Sequence, residues 1–149
     1  MKKLVLFSLL CILSGLNVRG QIAFSREYGG AYDEDGRWME QLPDSGFILT
    51  GSTTTYSTAQ SSDVWLVRTD AYGNPLWSKS YGGPSFEFAN MVKPIPGGFI
   101  ICGLTTRNGN DDAYLIKTNN TGDTVWEKVI GDAGTQWFEA IIQIGRAHV

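Results

Sequence analysis

The sequence predicts an all-β fold, a β-propeller fragment made of four-stranded antiparallel blades of about 50 residues each. The first observation behind this is a motif that returns along the chain. Trp77-Ser78-Lys79-Ser80-Tyr81-Gly82-Gly83 comes back as Trp126-Glu127-Lys128-Val129-Ile130-Gly131-Asp132, and Phe24-Ser25-Arg26-Glu27-Tyr28-Gly29-Gly30 precedes both. Tyr28 to Tyr81 spans 53 positions and Tyr81 to Ile130 spans 49, with the difference falling mostly in one loop. The second observation is the absence of helical periodicity after residue 20, apart from a weak case over 137–142. The third is turn chemistry at matching places in each unit. The 149 residues have room for two whole blades and parts of others, whereas a closed ring takes roughly four to eight.

Residues 1–20 read as a secretory signal peptide. Lys2 and Lys3 are followed by an apolar run, Leu4 to Leu13, too short to cross a bilayer comfortably, and then by Val18-Arg19-Gly20, with cleavage expected after Gly20. An uncleaved anchor is the alternative. Cys11 lies inside the apolar run, which disfavours a lipoprotein. Cleavage leaves Cys102 as the sole cysteine, so no intramolecular disulfide can form, and export without disulfides fits a bacterial surface protein better than a small eukaryotic one. No membrane span remains after that removal.

Residues 21–30 are expected to hold an orphan outer strand over Phe24–Tyr28, which would pair with a blade outside this sequence and seal the ring. A first blade is expected over 31–83, with strands at 37–42, 47–50, 63–69 and 75–81. A second is expected over 84–132, with strands at 89–93, 99–102, 112–118 and 124–130. Residues 133–143 would begin the next. Pro43-Asp44-Ser45-Gly46 and Pro94-Ile95-Pro96-Gly97-Gly98 join the first two strands of each blade, Pro presetting φ and Gly accepting positive φ. Longer polar loops, Gly51 to Asp63 and Gly103 to Asp112, follow the second strands. Asp70-Ala71-Tyr72-Gly73 and Asn119-Asn120-Thr121-Gly122 fit type I turns ending in a left-handed Gly bulge, which close antiparallel hairpins.

The second and third strands are apolar on both faces and require cover on both. The fourth alternates, with Trp77, Lys79 and Tyr81 on one side and Ser78 and Ser80 on the other, as an outer strand would. The recurring positions are Tyr28, Gly29, Gly30, Phe47, Gly51, Asp63, Trp65, Gly73, Trp77, Tyr81, Gly82, Gly83, Phe99, Gly103, Asp112, Tyr114, Gly122 and Trp126. They are expected to build the blade rather than to perform chemistry. Trp77 and Trp126 would pack between blades in preference to stacking on carbohydrate, and Trp65 would lie in the core.

Trp-x-Lys-x-Tyr-Gly-Gly, Gly-Gly-Phe-Ile-Ile-x-Gly-x-Thr and Asp-x-Tyr-Leu-Ile-Lys-Thr-x-x-x-Gly-x-x-x-Trp together resemble the repeats of secreted bacterial β-propeller proteins, many of which carry a C-terminal type IX secretion sorting domain. Tyr81, Gly82, Gly83, Gly97, Gly98, Phe99, Gly103, Asp112, Tyr114, Lys117, Thr118, Gly122 and Trp126 carry the resemblance, which covers residues 24 to about 143. Asp44-Ser45-Gly46 in the first unit and Ile130-Gly131-Asp132 in the third depart from it. The resemblance implies export and surface or extracellular display. The Asp-x-x-Gly-x-x-x-Trp segment is also similar to the Trp-docking repeat of quinoprotein-type propellers, which implies packing geometry and no quinone.

Candidate chemistry is sparse. Asp33-Glu34-Asp35-Gly36 has the acidity of a calcium loop, but the second unit has Ser85-Phe86-Glu87 there, and only Glu34 and Glu87 align. A solvated acidic turn is the expectation, as it is for Asn108-Gly109-Asn110-Asp111-Asp112. Asp63 and Asp112 open equivalent strands and are expected to fix loops; a repeat-wide acid argues against a glycoside-hydrolase pair. Cys102, in Phe99-Ile100-Ile101-Cys102, is expected to be buried and inert. Asn119-Asn120-Thr121 matches a glycosylation pattern without meaning in a bacterial setting. Net charge is −3 with scattered Lys and Arg, which leaves no footprint for nucleic acid. Ile144-Gly145-Arg146-Ala147-His148-Val149 breaks the repeat and equals the translation of a common sequencing-adapter start, so 144–149 reads as an artefact, a natural terminus being the alternative. The sole histidine, His148, then supports no triad or metal site.

No catalytic, metal or cofactor-binding residue and no cofactor is therefore expected. The leading expectation is an exported, non-catalytic module with a binding or structural role, meeting a protein or glycan ligand through its loops, above all Gly51 to Asp63. The alternative is an accessory propeller domain of a larger secreted hydrolase or protease.

Overall fold

The computed structural model describes residues 24–141 except Thr58, Gln60 and Asn108. The expected signal peptide with Cys11, residues 21–23 and 142–143, and the tail at 144–149 with His148 lie outside the described residues. The described residues form no helix. They form eight strands: β1 (Glu34–Gln41), β2 (Phe47–Thr53), β3 (Asp63–Thr69), β4 (Pro75–Tyr81), β5 (Phe86–Ile95), β6 (Gly98–Arg107), β7 (Asn110–Asn119) and β8 (Thr124–Ile130). These make two four-stranded antiparallel sheets, β1-β2-β3-β4 and β5-β6-β7-β8, each a simple meander. Short turns between consecutive strands leave an antiparallel neighbour as the only pairing within reach.

Three strands end where the turn residues say they should: β3, β4 and β8. The hairpin turns explain it. Gly73 and Gly122 sit at φ +77° and +80°, and the Asp70 and Asn119 side chains each accept hydrogen bonds from the amides two and four residues on. A shift in register follows at Arg68/Thr69 and at Lys117/Thr118.

Two expectations need correction. The polar loop expected over Gly103 to Asp112 is mostly ladder, because Leu104, Thr105 and Thr106 pair with Ala113, Asp112 and Asp111 and leave a turn at Gly109. β-branched threonines suit a pleated ladder better than a loop. Phe24–Tyr28, expected to pair with a blade outside this sequence, has no strand pairing among the described residues. In the Pro43–Gly46 turn, Ser45 takes the positive φ (+68°), not Gly46. Gly46 is there for space, as a Cβ would run into the Thr69 carbonyl and the Arg68 side chain.

In each sheet the first strand is bulged at the equivalent place. Gly36 pairs with Gly51 and Trp38 with Thr50, which leaves Arg37 as the extra residue; Ala89 pairs with Gly103 and Met91 with Cys102, which leaves Asn90. Gly51 and Gly103 permit this. A Cβ on either would overlap the carbonyl oxygen of Asp35 or Phe88 on the bulged strand.

The two sheets stack. Ile48, Val64, Leu66 and Tyr81 of the first meet Ala89, Val92, Phe99, Ile101, Tyr114 and Ile116 of the second in one buried cluster, with Trp77 at its edge. β3 is buried along its whole length, whereas β1, β4 and β8 are largely exposed. Apolar inner strands therefore lie between sheets and polar strands lie outside, as the expulsion of apolar area from water requires.

Candidate functional site

The recurring residues assemble into clasps between successive units. Tyr81 donates its hydroxyl to the Gly122 carbonyl at 2.7 Å, and Tyr28 donates to the Gly73 carbonyl at 2.8 Å. Trp77 meets the Phe99 ring edge-on at 6.1 Å and 61°; Phe24 meets Phe47 at 5.7 Å and 66°. Lys79 pairs with Asp123 at 3.0 Å, and Arg26 reaches the Asn74 side chain at 3.4 Å. The segment Phe24–Tyr28 thus stands against the first sheet as β4 stands against the second.

A carboxylate forms the other clasp. Glu87, buried, accepts the Gly83 amide at 3.1 Å and the Thr105 hydroxyl at 2.7 Å. Glu34 accepts the Gly30 amide at 3.1 Å and the Thr53 hydroxyl at 3.1 Å. Burial pushes Glu34 up, but hydrogen bonds from Thr55, Gly30 and Thr53 outweigh it and hold the carboxyl below its ordinary value. The third unit substitutes an amide, since Gln136 accepts the Asp132 N–H at 3.0 Å. The Glu87 amide donates to Ser62 and the Gln136 amide to Asp111, each at 2.7 Å, so the same joint recurs. The sequence shows this only as the alignment of Glu34 with Glu87. The acidic turn there is therefore a joint at Glu34 and a surface ion pair at Asp35 with Arg37, 2.6 Å.

Asp63 is buried against Gly82, and Asp112 stands against Gly131 in the same way. Trp65 is buried and touches Tyr56 at 6.0 Å; Tyr114 is buried and donates to Glu127 at 2.6 Å. Burial, then the charges of Asp123 and Glu127, raise Tyr81; burial and Glu127 raise Tyr114. Both phenols stay protonated and serve as donors. Cys102 is buried, and burial pushes its thiol up to about 11, away from the thiolate a nucleophile needs. Trp126 is half-buried with Lys128 over its ring at 5.6 Å.

Two open clefts lie by the loops after the second strands. One, of about 630 Å³, is lined by Tyr32, Asp33, Thr54, Thr55 and Ser57; the other, of about 360 Å³, by Pro84, Ser85, Glu87, Arg107 and Glu127. Among the described residues no group of three or more His, Cys, Asp or Glu is placed to hold a metal ion, and no helix is long and apolar enough to cross a membrane. No protein-family model matches the chain, and no curated protein matches it.

Proposed function

We propose that the chain is part of an exported β-propeller that acts as a non-catalytic binding or structural module at a bacterial surface or outside the cell. One observation carries the fold half of this reading. The contacts that Phe24–Tyr28 makes with the first sheet repeat those that β4 makes with the second, residue for residue. Each sheet therefore offers one face to the next and the opposite face to the one before. A head-to-tail contact of this kind continues until it closes into a ring or runs on as a stack, and twisted four-stranded sheets close at roughly four to eight copies. Two sheets supply part of such a ring. In it, Phe24–Tyr28 would be the outer strand of a further blade.

The functional half rests on what the recurring residues do. Glu87 and Tyr81 are occupied in joining units, and Asp63 and Tyr114 are buried, which leaves variation to the loops and to the exposed positions of the first strands. The basic n-region and apolar run at the start of the sequence support export. The test is the protein isolated from cells. N-terminal sequencing should begin at Gln21, and electron microscopy should show sheets around a common axis. A retained leader would remove export, and an open, unclosed stack would remove the propeller.

A further inference from the structure

Three successive units converge on a groove of about 550 Å³ lined by Arg37, Trp38, Phe88, Asn90, Trp137 and Glu139, among others. Arg37 and Asn90 are the extra residues of the two first-strand bulges. Glu139 falls at the same repeat position, three residues after Gln136, as Asn90 follows Glu87 and Arg37 follows Glu34. A bulge re-aims the side chain it carries. The repeat thus turns one position per unit toward a shared groove and fills it with a different residue each time: a donor, an amide that both donates and accepts, and an acceptor.

The aromatic residues are equally irregular. Trp38 stands where the second unit has the buried Met91, and Phe88 and Trp137 stand where the first has Asp35. The fold does not require them, yet Trp38 is 40% exposed and Trp137 51%. Both indoles are steadied by the carboxylate two residues on, Trp38 by Glu40 at 3.2 Å and Trp137 by Glu139 at 3.3 Å. Large aromatic area held open to water beside a graded set of polar groups is the make-up of a ligand site.

We infer that this groove binds a neutral oligosaccharide. The chemistry narrows to that class by charge. A cationic ligand would be repelled by Arg37 and Lys93, which lie 5.6 Å from the Phe88 centroid and 5.7 Å from that of Trp38. An anionic ligand would meet Asp111 and Glu139 in the groove, where the Arg37 charge is already paired with Asp35. A sugar brings apolar C–H faces for the indoles and hydroxyls for the capacity left on the polar groups: Arg37 beyond its pair with Asp35, the Asn90 side-chain oxygen, its amide nitrogen donating to the Phe138 carbonyl at 2.8 Å, and the second oxygen of Glu139. The assignment deepens the binding-module reading and places the contact on the first strands, away from the loop at Gly51 to Asp63.

The experiment is calorimetric titration of the full chain with a panel of gluco-, xylo-, manno- and chito-hexasaccharides. At least one should bind in the millimolar range or tighter. Trp38→Ala and Trp137→Ala should each weaken it about tenfold. Arg37→Ala, Asn90→Ala and Glu139→Ala should change the order of preference among the sugars. Tyr72→Ala, at an exposed hairpin tip, should bind as the parent does. Trp137 lies outside the eight strands, so its variant keeps the test sound if Trp38→Ala misfolds. Failure of every sugar to bind the folded chain, equal binding by the parent and Trp137→Ala, or capture of peptides alone would overturn the assignment and leave the propeller standing. Hydrolysis of the bound sugar would instead overturn the non-catalytic reading.

Discussion

Glu87 shows how a polar group becomes structural. Its carboxylate is buried and satisfied by the Gly83 amide and the Thr105 hydroxyl, so both donors lose their partner if it is truncated. Leaving buried donors unpaired costs about 1–3 kcal/mol. Glu87→Ala should lose that much in urea unfolding, and Glu87→Gln, which keeps an acceptor, should lose less; equal losses would assign the effect to packing. Asp123 works at the surface. Hydrogen bonds from Thr121, Lys79 and Asn119, with the charge of Lys79, hold its carboxyl at about 2 against an ordinary 3.8. Because the folded value is the lower, the unfolded chain binds the proton first as pH falls. The stabilisation is complete above the ordinary value and disappears as pH drops through about 2. The thermal midpoint of the parent should therefore fall more steeply across that window than that of Asp123→Asn. Parallel curves would show that Asp123 contributes nothing.

At the scale of the element, turns explain what could and could not be read from sequence. Asp70 and Gly73, or Asn119 and Gly122, specify their hairpins through chemistry confined to the turn itself, so β3, β4 and β8 have the ends expected of them. The extent of β6 and β7 depends instead on Thr105 and Thr106 finding Asp112 and Asp111 across the ladder, which no local signal announces. The bulges at Arg37 and Asn90 were hidden for the same reason: the missing Cβ of Gly51 or Gly103 acts on a neighbouring strand. The groove they line was illegible because its residues differ from unit to unit, and only repetition is conspicuous in a sequence. Ser45 is a local exception. It sits at φ +68°, a conformation that favours glycine, while its counterpart Gly97 sits at +83°. The left-handed region costs a residue with a Cβ about 1–2 kcal/mol, part of which glycine returns as chain entropy. Ser45→Gly should thus raise the unfolding free energy by about 0.5–1 kcal/mol. An unchanged or lower value would mean that the Ser45 carbonyl and side chain are held by more than the turn.

The whole molecule depends on the stack. A single four-stranded meander of about 50 residues buries little apolar area of its own and is marginal alone. Here the two meanders share one cluster, in which Ile48 and Leu66 from the first face Val92, Ile101 and Ile116 from the second. Lys93 on β5 ties to Glu40 on β1 across the same joint and holds that carboxyl below its ordinary range. If the stack is the folding unit, a cavity on one side must be felt on the other. Ile48 is fully buried, and removing most of its side chain costs about 2–5 kcal/mol. Ile48→Ala should accelerate hydrogen exchange at the slowest amides of β6 and β7 by the same factor as at those of β2 and β3, because both sheets open through one cooperative transition. Retained protection in β6 and β7 while β2 and β3 lose theirs would make each sheet an independent unit, and the contact between the two sheets would then be an association of folded sheets rather than the source of their stability.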